Sequence, residues 1–452
     1  MHVLFYSTSS IFFDPKTTVT KRFPTAKQEL EMLAKNFPQH RFTAATQFPG
    51  MFFLDLNGTE NFEKAPEIRY EIIKTDREEE TADFLSSLNP DVAIAATFFT
   101  APFDWLTAKD ALVAQFLRKK GIRTVCHSLQ TALICFDKWH THQTLLQLGV
   151  NTPKALYVNH ALFINAGNRK TIKSNVYKTA LLSEIKDLRF PVVIKDTTGL
   201  SSYGMDVLEN FGQVHDWLHS KKFTSDRIIE EFIKGGQFGV EIEASPKKNG
   251  KREIRILPPL AFSVNRWGIT SPKQSVKTGP VTAGGCQLEQ LKDTLEKIAR
   301  ALEFEGLAQI DLVFDGEKWF VIEINPRLSG MTETCSVMEG KSLFERLLKT
   351  AGIEKKDREG QAQKTNFVLN IKFPLLTDEE FARLSKTPCI KRLYQIENLA
   401  ARQEREKGYC EAVIAADTKE QLQKEAETLA EVLPEKTEKA FFDAAANLMA
   451  GL

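Results

Sequence analysis

QIDLVFDGEKWFVIEINPRLSG, residues 309–330, places two apolar runs on either side of Asp315-Gly316. Asp-Gly between two strand-like runs is a hairpin signal. Side chains alternate along a strand, so Glu323 and Asn325 share one face and Arg327 continues it. Asp311, in the first strand, can lie opposite them. Ile310, Leu312, Val321, Ile322 and Ile324 mark the surrounding backbone as buried. A buried carboxylate without a partner is costly. Three oxygen donors converging on one face suit Mg²⁺, with phosphate oxygens and water completing the octahedron. Ion pairing with Arg327 or Lys195 would also satisfy the acids, and a solvated polar strand face is the plainer alternative. Arg327 presents a planar fork that fits a phosphoryl group or a carboxylate.

Working upstream, three further segments fit phosphate chemistry, which needs cations, a loop over the phosphates and a metal. Lys195 ends the strand-like run PVVIK, where it can neutralise phosphate oxygens or simply extend its ammonium to water. DTTGLSSYGM, 196–205, can wrap phosphate with backbone N–H groups and hydroxyls or be a plain hairpin loop; it is not a Walker loop. IIEEF, 228–232, is apolar, acidic, then apolar, and its main chain can pair with an adenine edge as any edge strand can.

The remaining chain supplies the framework. HVLFY (2–6), DVAIAATFF (91–99) and IRTVCH read as strands, with helices at 26–37 and 110–121, an alternation that argues for a parallel α/β sheet. SLQTALICFDKWHTHQTLLQLG reads as helix ending at Gly149, and DRIIEEFIKGGQFGVEIEA as two strands joined at Gly235-Gly236. Leu288, Leu291, Leu295, Ile298 and Leu302 define a helix face. A charged stretch, 351–366, reads as a linker before a smaller α/β unit. With 452 residues, two or three domains are expected. Hydrophobic content of 42% and charge of 26% fit a soluble globular protein, and a net charge of +1 gives no global field for nucleic acid or acidic lipid. No apolar run approaches the ~18 residues of a membrane span. The start, MHVLFYSTSS, reads as a first strand rather than a signal peptide. The six cysteines form no CxxC pair, which argues against zinc and suits a reducing cytosol, so a cytoplasmic location is expected.

Taken in order, these segments resemble the ATP-grasp superfamily from about residue 128 to 350. FDKWHTHQTLLQLGVNTPKA looks like its first lysine segment, PVVIKDTTGLSSYG its second lysine and lid, IIEEFIKGG its adenine hinge, and QIDLVFDGEKWFVIEINPRLSG its metal hairpin with the catalytic arginine. The resemblance implies ATP contacts from Lys138, Lys195, Gly199, Ser201, Ser202, Gly204, Glu230, Glu231, Phe232 and Ile233, a metal on Asp311, Glu323 and Asn325, and catalytic roles for Arg327 and Lys195. Many members carry glutamate after the hinge for the ribose; this chain has Gln237 there, with Glu241 as a second candidate. The expected fold class is α/β: an N-terminal Rossmann-like parallel-sheet domain (1–127), an ATP-grasp fold of two α+β subdomains (lid about 140–234, metal and catalytic part about 235–350), and a small C-terminal α/β unit (367–452).

The shared chemistry of the family is ATP-dependent activation of a carboxylate as an acyl phosphate, followed by attack of a nucleophile. The E-I-N-x-R-L-S-G signature is most similar to that of L-amino-acid ligases, which join amino acids into dipeptides. The expected reaction is therefore ligation of a small carboxylate, an amino acid above all, to an amine, with ATP and one or two Mg²⁺ ions, replaceable by Mn²⁺. The other readings are a carboxylating or purine-pathway ATP-grasp enzyme and a nucleotide-binding module without turnover. Arg266 and Trp267, in a Gly/Ser/Thr-rich segment, are candidates for the acceptor side or belong to a surface loop. Ser329 and Gly330 are candidates for the carboxylate pocket, their N–H groups facing the acid. The expected partners are small molecules, neither nucleic acid nor membrane, with a homodimer as the assembly common in the superfamily.

Overall fold

HVLFY forms the central strand of a parallel sheet, buried along its whole length, as a continuous apolar run in a doubly covered sheet must be. A computed structural model of the chain describes residues 1–8, 18–47, 64–97, 106–165, 174–198, 205–246, 252–264, 275–282, 284–354, 366–399, 401, 407–433, 443 and 445–448. The N-terminal elements are β1 (His2–Ser7), β2 (Thr18–Phe23), α1 (Ala26–Asn36), β3 (Arg41–Gln47), β4 (Ile68–Ile73), α2 (Glu78–Ser87), β5 (Val92–Ala95), α3 (Leu106–Lys119) and β6 (Arg123–Val125). Five of these strands make a parallel sheet in the order β4-β3-β1-β5-β6. β2 leaves it for a different sheet.

Next come α4 (Leu129–Phe136), α5 (Lys138–Gln147), β7 (Ala155–Val158), α6 (His160–Ile164), α7 (Val176–Lys186), β8 (Val192–Asp196), β9 (Asp206–Leu208), α8 (Phe211–Leu218) and β10 (Arg227–Glu231). Four strands form an antiparallel sheet, β7-β10-β8-β9, over its own core of Val158, Ile185, Ile194, Val214 and Ile229.

The third set is β11 (Gly236–Pro246), β12 (Arg252–Ile256), β13 (Leu260–Phe262), β14 (Ser275–Gly279), α9 (Leu288–Ala301), β15 (Gly306–Phe314), β16 (Trp319–Asn325), α10 (Thr332–Met338), α11 (Leu343–Thr350), β17 (Phe367–Phe373), α12 (Asp378–Ser385), β18 (Ile390–Asn398), β19 (Gly408–Ala416) and α13 (Lys419–Val432). One ten-stranded sheet runs β16-β15-β11-β13-β14-β17-β19-β18-β2, with β12 on β11. β10 and β11 belong to different sheets and are joined through Gly235-Gly236. One sequence expectation changes here. The C-terminal strands do not build a sheet of their own, because β17 pairs with β14 and extends the sheet that carries the hairpin.

Helix α9 packs on one face of this sheet through Leu291, Leu295 and Ile298 against Val240, Ile242 and Ile310. The opposite face meets α10, α11 and the N-terminal sheet. There Phe5 lies edge-on to Phe344 at 5.3 Å, within a core shared by both units.

Candidate active site

The hairpin of β15 and β16 sets Asp311 directly opposite Glu323 and Gln309 opposite Asn325. The register slips after Asp311, where Leu312 pairs with Val321 and Ile322 is the extra residue of a bulge. The bulge explains how Glu323 faces the site while Val321, two residues earlier, joins Leu312 and Ile324 in the core under α9. Gln309 Nε2 donates to Asp311 Oδ1 at 2.7 Å, Asn325 Nδ2 reaches Asp311 Oδ2 at 3.5 Å, and the Arg327 guanidinium donates to Asn325 Oδ1.

Two lysines approach the hairpin, one from α5 and one from β8 of the four-stranded sheet. The helix expected to end near Gly149 is preceded by a second one, because the Asp137 carboxylate accepts from the N–H groups of Trp139 (2.8 Å) and His140 (2.9 Å) and starts α5 anew after α4. Lys138 is the first residue of α5, its own N–H donating to the Thr197 carbonyl at 2.7 Å. Its ammonium lies 2.9 Å from Glu323. Lys195, near the end of β8, pairs with Glu230 at 2.7 Å, both side chains under a tenth exposed.

Electrostatics distinguish the two hairpin acids. Burial first, then the Glu323 charge across the hairpin, pushes the Asp311 carboxyl up to about 7. Burial also acts on Glu323, but Lys138, Lys195 and Arg327 together hold its carboxyl below the usual range. Two facing carboxylates and an amide oxygen are a hard donor set, and a divalent cation would offset the burial and the repulsion that raise the Asp311 carboxyl. The residues present fit Mg²⁺. Among the described residues no cluster of three His, Cys, Asp or Glu side chains gathers for a metal, and the third donor beside the two acids would be the amide Asn325.

The expected hinge follows β10. The N–H of Glu231 donates to the Lys154 carbonyl and that of Phe232 to the Pro191 carbonyl, at 2.9 and 3.0 Å. Ile233 is buried and Gln237 half-buried at the start of β11. Gly235 must lack a side chain, since a Cβ there would stand 2.1 Å from the Phe314 carbonyl oxygen. The hinge therefore presses directly on the metal hairpin.

Other expectations are corrected. Glu241 cannot reach a ribose: it is fully buried, paired with Arg346 and accepting from the Thr332 hydroxyl at 2.6 Å. Ser329 does not offer its N–H to an acid, because that group donates to Thr332 Oγ1 at 3.0 Å. The Met331 N–H is likewise committed to Ser329 Oγ at 3.1 Å. Gly330 lies beside a residue the sequence reading passed over, Lys277: a Cβ on Gly330 would be 3.8 Å from its ammonium. Lys277 is buried on β14, 3.9 Å from Glu411. Burial pushes its ammonium down from the usual value, against the pull of Glu411 and Asp311. No apolar run marks it in the sequence: Lys277 stands in the short strand SVKTG, between Val276 and Thr278. Gly199, Ser201, Ser202, Gly204, Arg266 and Trp267 lie outside the described residues.

Beyond Arg327 the hairpin faces the C-terminal ends of β5 and β6 across a cleft of about 410 Å³, open mouth included, whose walls include Thr97, Thr107, Asp110, His127 and Glu305. Ligands in open α/β sheets sit at such strand ends.

These features agree with what the chain is similar to. Residues 135–331 match the family model of the ATP-grasp domain. The arginine-specific large chain of carbamoyl phosphate synthase from Bacillus subtilis (strain 168) is 26% identical over 285 residues, 62% of this chain and 25% of its own. A D-alanine–D-alanine ligase from Buchnera aphidicola subsp. Schizaphis graminum is 26% identical over 243 residues, 52% of this chain and 73% of its own. The chain thus spans about a quarter of the length of the carbamoyl phosphate synthase chains it matches. Among solved structures, N5-carboxyaminoimidazole ribonucleotide synthetase in its ADP complex aligns over 97% of both chains with a TM-score of 0.62 at 14% identity. An L-amino acid ligase from Bacillus licheniformis aligns over 95% of this chain and 97% of its own, with a TM-score of 0.62 at 15% identity. At such identities the likeness is one of fold. Residues 135–331, which carry both lysines, the hinge segment and the hairpin, thus match the model of the ATP-grasp domain.

Proposed function

We propose that this protein is an ATP-dependent carboxylate–amine ligase acting on a small acid, an amino acid above all. The observation that carries the reading is Arg327: it extends the Asp311–Glu323–Asn325 face into a cleft bounded by the N-terminal sheet. A face suited to phosphate thus meets a cleft at the strand ends of the N-terminal sheet, where small ligands of α/β proteins sit.

In this reading Lys138 and Lys195 hold the phosphates of ATP, the hinge from Glu230 to Ile233 holds the base, and Gln237 faces the ribose. Asp311, Glu323 and Asn325 hold Mg²⁺, which when bound neutralises charge on the phosphates. Lys138 and Lys195 exchange their pairing with Glu323 and Glu230 for phosphate oxygens, so the site is kept neutral until the nucleotide arrives. A substrate carboxylate oxygen then attacks the γ-phosphorus, the bond to the β-phosphate oxygen breaks, and ADP carries its electron pair away. The amine next attacks the acyl carbon, loses a proton, and phosphate leaves with the C–O electrons. Arg327 and Lys195 stabilise charge on the transferred group and on the tetrahedral carbon.

The test is phosphate release from ATP and Mg²⁺ across amino acids, singly and in pairs, with bicarbonate as the contrasting acid. Amino-acid pairs are expected to stimulate release. Stimulation by bicarbonate alone overturns the reading in favour of a carboxylating enzyme, and nucleotide binding without any stimulation in favour of a non-catalytic module. Glu323→Ala and Arg327→Ala are expected to abolish release by at least ~100-fold with an unchanged circular dichroism spectrum; full activity in either removes the site assignment.

A further inference from the structure

The N-terminal wall of the cleft holds an acid that the chemistry above does not use. Asp110, on α3, is 4% exposed. Its Oδ1 accepts from the hydroxyls of Thr8 at 2.5 Å and Thr97 at 3.0 Å. Among the described residues no donor reaches Oδ2 and no basic side chain pairs with the carboxylate. One turn earlier on the same helix, Thr107 is 7% exposed and lines the same cleft, and among the described residues its hydroxyl has no hydrogen-bond partner. Buried hydroxyls without partners are rare in folded proteins, and one that lines a cavity points to something that enters it.

The other acid in the cleft wall is accounted for. Glu305 is held by Arg118 at 3.2 Å and Arg252 at 3.0 Å. His127 is held in its neutral form, since its Nδ1 accepts from the Glu305 N–H while Nε2 donates to the Leu307 carbonyl. Among the described residues that line it, the cleft therefore has one cationic pole, Arg327, and one acid without a cation, Asp110.

We propose that Asp110 and Thr107 form an ammonium subsite, which holds the α-amino group of an amino acid whose carboxylate lies at Arg327. An ammonium donates to Asp110 Oδ2 and to Thr107 Oγ1, completing both. It also replaces the cation that burial makes necessary: burial pushes the Asp110 carboxyl up to about 7, against the donors Thr8 and Thr97 and the charge of Lys109. Thr8 and Thr97 fix Oδ1, so Oδ2 is left toward the ligand. An acid lacking the amino group would leave Asp110 facing an unpaired cavity, and the subsite thereby selects amino acids over simple carboxylic acids. The subsite rests on the ligase reading for its role, while its existence does not depend on turnover.

The experiment is calorimetric titration of the Mg-ADP-loaded protein with alanine, serine and leucine and with propionate and lactate, for the wild type, Asp110→Asn and Thr107→Val. The wild type is expected to bind at least one amino acid over tenfold more tightly than the des-amino acids. Each variant should lose at least tenfold for the amino acid and little for propionate. Thr107→Val preserves shape, so it decides the matter if Asp110→Asn does not fold. Equal losses for both ligand classes, no loss, tighter binding in Asp110→Asn, or no amino-acid binding to the wild type each overturn the subsite. Amino-acid selectivity that depends on Asp110 without any ATP turnover leaves the subsite standing and removes the ligase reading instead.

Discussion

His127 shows how a single residue ties the units at the cleft. It follows β6, and its ring contacts the carbonyl of Leu307 at 2.8 Å and the N–H of Glu305 at 3.3 Å, with Phe304 edge-on at 5.3 Å. Burial, aided by Arg252 and Arg118, lowers its pKa to about 4 despite the Leu307 contact. The folded value lies below the ~6.5 of an unfolded histidine, so the unfolded chain gains a proton first as pH falls. The stabilisation is full above pH ~6.5 and is lost as pH drops toward 4, by up to about 3 kcal/mol. Urea midpoints measured from pH 7 to 4 should fall more steeply in the wild type than in His127→Gln; parallel curves would show that the ring titrates freely. The site residues differed in how far sequence could disclose them. Glu323, Asn325 and Arg327 were legible because strand alternation fixes a face locally. Glu241 has the same alternation and was misread, since the Arg346 that claims it lies on a helix over 100 residues away.

At the scale of elements, the break between α4 and α5 is where the sequence reading and the structure part most usefully. Helical periodicity continues across FDKWH, so periodicity alone joins the two helices. The aspartate before Lys138 is the signal that ends one and starts the other, because a capping carboxylate competes with continuation of the helix. The cap orients Lys138 toward Glu323. Asp137→Ala should cost about 1 kcal/mol of stability and raise the KM for ATP several-fold, while Asp137→Asn, which caps equally well, should restore both. A KM unaffected by Asp137→Ala would mean that the cap does not position the lysine. Two strands and a glycine turn look alike whether they share a sheet or, as β10 and β11 do, divide between two, so at that segment it was the resemblance and not the local pattern that marked a hinge.

At the scale of the whole molecule, the large sheet is closed at its far edge by residues from the N-terminus. β2 pairs with β18 from Thr18–Asn398 to Phe23–Leu393. No local pattern in TVTKRF announces this, since strand pairing over more than 360 residues is decided by the assembled edge and not by the strand. A buried ring of charges holds the join. Arg22 of β2 contacts Glu29 of α1 and lies 2.7 Å from Glu333 of α10, while Arg392 of β18 lies 2.6 Å from Glu29 and 3.0 Å from Glu333. Against the penalty of burial, Arg22 and Arg392 hold the Glu333 carboxyl well below the usual range. Removing one acid would leave two guanidiniums sharing a single carboxylate in a desolvated pocket, a loss larger than the pair's own attraction. The ring joins β2, α1, α10 and β18, so its failure should be felt by the whole fold. Glu333→Gln is expected to lower stability by about 3 kcal/mol and to shift the urea midpoints seen by tryptophan fluorescence and by circular dichroism together. A loss below about 1 kcal/mol, the range of exposed pairs, or separation of the two midpoints, would show that the N-terminal strand is only docked on the sheet and does not close it.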